Sequence, residues 1–276
     1  MVLKKISHIA GGAILTASLL AFTATASYAT SVKITVTNLA QPGGFALTPL
    51  YTAFHNDSFD AFDVGSTASA GLERLAELGD PSVIAGIRTA TDPDSVGGVL
   101  TAGSPPPIQA GETASRVFTL DGNDHTFFTF LSMILPSNDS FIGSDSAIRI
   151  FDDFGAYLGD QTIDVTGADI FDAGTEVNNA AADGGAAPTS NDPTAGVTEN
   201  GVISAGQSLN AFAGQILFGQ ELTLQQIDFL SDPGNFQVAR IEISAVPLPA
   251  ALPLFGAALL GLGILGRRRK NQAKSV

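Results

Sequence analysis

Twenty-seven carboxylates, three histidines and no cysteine bound the chemistry open to this 276-residue chain. Disulfides, thiolate metal sites and thiol nucleophiles are excluded. His8 belongs to an N-terminal apolar segment, which leaves His55 and His125. No motif places a nucleophile beside either: the chain has no G-x-S-x-G elbow and no H-E-x-x-H. His55 opens a turn and His125 follows Asp124 at the entrance to an apolar run, so each reads as a structural donor rather than a general base. The carboxylates remain. They can ligate divalent cations through hard oxygens, work as a glycosidase-type pair, or keep an exported protein soluble. An EF-hand loop begins well at Asp92-Pro93-Asp94-Ser95-Val96-Gly97, but its twelfth position is Gly103, which has no carboxylate to give. Asp121 to Asp124 fails in the same way, with Ser132 at that position. The glycine-rich pieces lack the lysine and helix of a phosphate loop. A carboxylate pair for hydrolysis stays open, because sequence does not set the distance between two carboxyl groups.

All 27 acids fall between residues 30 and 245, where only Lys33, Arg74, Arg88, Arg116, Arg149 and Arg240 oppose them, for a net charge of −21. That balance excludes nucleic acid as a partner and argues against charge-driven docking on anionic lipid.

The two ends have a different composition. Lys4 and Lys5 precede an uncharged, mostly apolar run from Ile9 to Phe22, and small residues follow at Ala24-Thr25-Ala26 and Ser27-Tyr28-Ala29. This is the pattern of a secretory signal peptide over residues 1–29, cleaved after Ala29. The run is too short for a retained span of about 20 residues. At the other end, Val246-Pro247-Leu248-Pro249-Ala250 leads into an uncharged stretch to Gly266, followed by Arg267, Arg268, Arg269 and Lys270. As a helix, that stretch would reach about 26 Å, close to a hydrocarbon core of about 30 Å. The basic cluster is expected on the cytoplasmic side and the acidic body outside. The three parts, in this order, resemble the VPLPA variant of the PEP-CTERM class of bacterial sorting signals. That resemblance implies an exosortase-type membrane protease as a partner and a sorting segment over residues 246–276.

Between the ends, the pattern is that of strands. Val32 to Thr37 alternates apolar and polar with period two. Phe54 to Val64 is β-rich, broken by a turn at Asn56-Asp57-Ser58. Residues 69–88 read as two short helices: Leu72, Leu75, Ala76 and Leu78 share a face, Gly79 stops the first, and Asp80-Pro81 caps the second. Residues 97–109 read as a loop, Arg116 to Leu120 as a strand, and Thr126 to Leu135 as a central strand buried on both faces. A shorter strand follows at Ala147 to Phe151, a long loop at 178–208 and a closing strand at Phe236 to Ser244. Many short strands with little helix predict an antiparallel β-sandwich over residues 30–245.

Four stretches of this body resemble, in order and spacing, the spondin domain in its bacterial form. They are His55 to Gly65, Ala68 to Asp80, Met133 to Gly143, and Phe171 to Glu176. The resemblance implies an all-β, C2-like sandwich with short inserted helices and a calcium site on loops at one end. Carried over by position, the calcium ligands are Asp139, Asp172 and Glu176. Ser140 stands where the family has an aromatic, and Glu176 where it has the shorter Asp. Calcium takes six to eight oxygens at about 2.3–2.6 Å, which three carboxylates plus backbone carbonyls can supply. Gly174 would let Asp172 and Glu176 face one point. The alternative is that these acids only cap turns.

The function expected is non-enzymatic: a calcium-binding module at the cell surface or in an extracellular matrix, adhering to a polymer or a surface protein. A secreted hydrolase with a carboxylate pair is one alternative. A glycan- or peptide-binding module is another, with the aromatic turns at Phe59 to Phe62 and at Phe141 as its surface.

Overall fold

The computed structural model describes residues 29–103, 106–180 and 196–247. The expected signal peptide up to Tyr28, and the sorting segment from Leu248 onward with its basic tail, lie outside the described residues, as do residues 181–195 of the expected loop at 178–208. Among the described residues, no helix is long and apolar enough to cross a membrane.

Among the described residues, fourteen strands and three short α-helices follow one another. The order is β1 (Thr30–Asn38), β2 (Ala46–Leu47), β3 (Leu50–His55), α1 (Ala70–Leu78), α2 (Ser82–Thr91), β4 (Val96–Leu100), β5 (Thr113–Leu120), β6 (Phe127–Leu135) and β7 (Ser140–Gly143). Then come β8 (Ile148–Arg149), β9 (Gln161–Thr166), β10 (Ile170–Asp172), β11 (Ser204–Ala205), β12 (Ile216–Leu217), β13 (Gln220–Glu221), α3 (Leu224–Ile227) and β14 (Gln237–Ala245). One sheet has the order β5-β1-β14-β9, the other β11-β10-β7-β6-β3-β4 with β2 and β8 also on β6, and β12 pairs with β13 alone. All these pairings are antiparallel, so the chain is all-β, as expected.

The alternation of β1 explains the main core. Val32, Ile34 and Val36 are fully buried and, with Ile241 and Ile243 of β14, join one cluster with Phe54, Phe128 and Phe130 of the second sheet. Two sheets thus share one apolar layer. A second cluster covers the other face of the larger sheet. There Tyr51, Ala53, Leu131, Phe141 and Phe171 meet Phe59, Phe62, Leu72, Leu75 and Ile84. β6 lies between the two clusters, which is why its sequence is mostly apolar, broken only by Thr129 and Ser132. Helix α1 forms where its capping predicts, whereas α2 begins one residue later than expected: Pro81, not Asp80, stands at its N-cap and makes no side-chain capping bond. Ser69 Oγ accepts from Leu72 N at 3.2 Å, and Gly79 closes α1 in the left-handed conformation with φ 65°.

Three expectations need correction. β3 starts earlier than expected and ends at His55; Phe59 to Val64 forms no strand, and Phe59, Ala61 and Phe62 instead pack under α1 and α2. The aromatics offered as a binding surface are core: Phe59, Phe62 and Phe141 are 3%, 6% and 0% exposed. Part of the loop expected at 97–109 is strand β4. Its glycines are there for space: a Cβ on Gly97 would stand 3.0 Å from the Arg88 guanidinium carbon, and one on Gly98 2.4 Å from Arg116 Nη1. Arg116 in turn lies 5.1 Å above the Phe118 ring.

The first and last strands lie side by side. β1 pairs with β14 in an unbroken register from Val32↔Ala245 to Asn38↔Ala239, and Val246 N donates to Ser31 O at 2.8 Å.

Candidate functional site

Asp139 ends the connection between β6 and β7, and its position is fixed from both sides. Ser137 Oγ donates to Ile134 O at 2.7 Å and accepts from Ser140 N at 3.0 Å, closing a tight turn. Across from it, the chain after β10 turns at Gly174 (φ 69°), where a Cβ would come within 2.7 Å of the Val202 backbone. Gly174 N donates to Asp172 Oδ1 at 2.6 Å. Asn138 N donates to Asn178 Oδ1 at 3.0 Å, which ties the two loops together.

Asp139 is fully buried. Its Oδ2 accepts from Thr175 N (2.8 Å), Thr175 Oγ1 (3.2 Å) and Glu176 N (3.0 Å). Its Oδ1 accepts from Asn178 Nδ2 at 2.9 Å, and the same nitrogen donates to Asp172 Oδ2 at 3.2 Å. One amide therefore sits between two carboxylates. Gln207 Nε2 also donates to Asp172 Oδ2. The three acids carried over from the family resemblance are thus neighbours, but not equals. Asp139 and Asp172 point at one donor, whereas Glu176 Oε1 accepts from Gly196 N at 3.0 Å. Among the described residues, no group of three or more His, Asp or Glu side chains is arranged to hold a metal ion. As a donor set, the site is two carboxylates with amide, hydroxyl and backbone oxygens around them. Its hard oxygens suit calcium, and its two convergent carboxylates fall one short of the three expected.

No arginine or lysine ion-pairs with these acids among the described residues. Burial first, then the Asp139 charge, pushes Asp172 up to about 7. Burial also raises Asp139 and Glu176. Sequence reasoning missed two further acids. Glu199 acts on both Asp139 and Asp172 through its charge. Glu77 of α1 has an Oε2 buried without a hydrogen-bond partner among the described residues, and burial pushes the group up to about 8. The signal for it was present: Glu73 and Glu77 are one turn apart, so both flank the same side of the helix. Beside them a cleft of about 240 Å³ is lined by Thr67, Glu73, Thr175, Thr198 and Asn200 among others.

Asp172 and Glu77 both bind a proton more tightly in the folded chain than at their ordinary 3.8 and 4.5. Their contribution to stability is complete below those values and is lost as pH rises through about 7 and about 8. In chelator, the chain is expected to be less stable at about pH 9 than at about pH 5. Glu77→Gln should abolish on the order of 2 kcal/mol of that loss, a figure reduced for the partial exposure of the group. Urea melts of both chains at both pH values check this; an identical pH loss in the variant would refute the assignment to Glu77.

Both histidines are held by neighbours. His55 is fully buried, its Nε2 2.9 Å from Thr129 Oγ1 and its Nδ1 against Asn56 O, and burial lowers its pKa. His125 Nδ1 accepts from Asp121 N at 2.9 Å, which leaves Nε2–H to donate to Asp94 O at 2.9 Å.

A two-sheet antiparallel body, with inserted helices on one outer face and an acidic pair, one member buried and one half-buried, where two loops meet, defines the class of protein. The Spondin_N family model matches residues 39–200, more than half of the chain, and the chain belongs to that family. No curated protein matches it.

Proposed function

We propose that this is an exported spondin-type protein of the cell surface or extracellular matrix, in which calcium, bound at Asp139 and Asp172, braces the loops at one end of a C2-like sandwich. The observation that carries this reading is the shared Asn178 amide, with Nδ2 within 2.9 Å of one carboxylate and 3.2 Å of the other. A cation that took over that shared position would neutralise one buried and one half-buried charge that now repel each other. Glu176 and Glu199 add negative charge beside the pair, and Glu176 becomes a ligand if its carboxylate leaves Gly196. Bound calcium would fasten the 136–139 loop to the 172–178 segment, which suits a rigid adhesive module.

Export by the N-terminal signal, and sorting by an exosortase-type protease at Val246-Pro247-Leu248-Pro249-Ala250, belong to the same reading. The mass of the protein recovered outside the cell tests both, since each cleavage removes a defined segment. A carboxylate-pair hydrolase is less favoured, because Asp139 is 0% exposed and both of its oxygens are engaged.

Calcium at a hundred times its dissociation constant is expected to stabilise the chain by about 2.7 kcal/mol over chelator. Thermal melting with calcium, magnesium and chelator reads this directly. Coincident curves in calcium and chelator would remove the metal from the account.

A further inference from the structure

A second cleft, of about 290 Å³, opens between the end of β1, helix α3 and the start of β14. Its chemistry is unlike that of the rest of this acidic domain, because no residue lining it is charged. Four of the lining side chains are glutamines, Gln41, Gln225, Gln226 and Gln237, and they stand beside Asn235 and Phe236.

The wall is built before any ligand arrives. Gln226 Oε1 accepts from Thr223 N (2.8 Å) and Thr223 Oγ1 (3.0 Å), and its Nε2 donates to Pro42 O (2.9 Å). Phe236 is half-buried and meets Phe229 edge-on at 4.7 Å, which fixes the ring in the floor. Asn235 Nδ2 is committed to Asp232, which leaves its Oδ1 as an acceptor. The rim is uncommitted. Gln41, Gln225 and Gln237 are exposed. Among the described residues the Gln41 and Gln225 amides make no side-chain hydrogen bond, and Gln237 makes only a 3.4 Å one to Asn235 O.

A primary amide offers two donors and a carbonyl acceptor side by side. That matches a pair of neighbouring hydroxyl groups, each of which both donates and accepts. Three such amides lining one cleft with a fixed aromatic ring, and no charge to favour an ion, suit an uncharged polyol. The volume is at the lower limit for a small-molecule site, room for one sugar ring of a longer chain rather than for a protein surface. We propose that this cleft binds a neutral glycan, independently of the acidic loop site.

Saturation-transfer NMR on the full chain tests the proposal, with neutral hexasaccharides of β-1,4-glucan, β-1,4-xylan, β-1,4-mannan and α-1,4-glucan as probes. Hexagalacturonate and a Gly-Ser hexapeptide serve as controls. Transfer to at least one neutral glycan is expected, unchanged by chelator and absent for hexagalacturonate. The Gln225→Ala/Gln237→Ala chain, altered only at exposed side chains, should melt like the parent and lose about fivefold or more in signal. The proposal is overturned by silence from all four glycans, by transfer to the peptide alone, by transfer that the double variant retains, or by transfer that chelator abolishes. Chelator resistance also separates this proposal from the calcium reading, since either can fail without the other.

Discussion

Asp139→Ala should destabilise the metal-free chain by about 3 kcal/mol, because four buried or partly buried donors lose their acceptor together. Thr175 N, Thr175 Oγ1, Glu176 N and the Asn178 amide all donate to this carboxylate, which no solvent reaches. Each orphaned buried donor costs about 1–3 kcal/mol. The sum is offset by relief of a carboxylate that burial already disfavours as an anion. In a domain of this size the midpoint should fall by roughly 6–12 °C. Asp139→Asn separates the two roles of the side chain. It keeps a carbonyl acceptor and so should cost only about 1 kcal/mol, while abolishing the calcium response as fully as Ala does. Melts of all three chains with calcium and with chelator give the comparison. A full calcium shift in Asp139→Asn would show that the ion binds elsewhere.

Phe141→Ala is expected to cost about 4 kcal/mol, the middle of the range for a large aromatic lost from a close-packed core. The ring is fully buried, edge-on to Phe62 at 5.0 Å and 5.5 Å from Phe171. These contacts tie α1 and the 59–62 segment to the larger sheet. Asp139 precedes Phe141 by two residues, so the cavity should also loosen the acidic loops. The calcium shift should shrink along with the loss of stability. Urea denaturation measures the first effect and melting with calcium the second; a loss below about 1 kcal/mol would mean that the second cluster contributes little.

The sequence made the parts governed by local rules legible. The period-two alternation of Val32 to Thr37 and the mostly apolar run of Thr126 to Leu135 mark β1 and β6 because burial on one face or on two leaves a direct trace in residue order. Ser69 and Gly79 mark the ends of α1 because caps are local chemistry. β4 was hidden, since Gly97 and Gly98 signal a turn locally, and what crowds them, the Thr52 carbonyl of β3 and the side chains of Arg88 and Arg116, is distant or non-local in sequence. Phe59 and Phe62 were misread for a related reason: a turn-rich stretch can be core once two helices close over it. The acidic pair was legible only through the family resemblance. Its sharing of one amide depends on Asn178, and the charge around it on Glu77 and Glu199, none of which is near Asp139 in sequence.

The adjacency of Ser31 and Val246 has a mechanical consequence. β14 is one uninterrupted strand that begins at the amide-rich cleft and ends where the expected sorting motif begins, a path of about 30 Å for nine residues. A tug between a partner held in that cleft and a tail held by the cell would run along this backbone. It would load the hydrogen bonds to β1 and β9 in shear, many at once, rather than peel them apart singly.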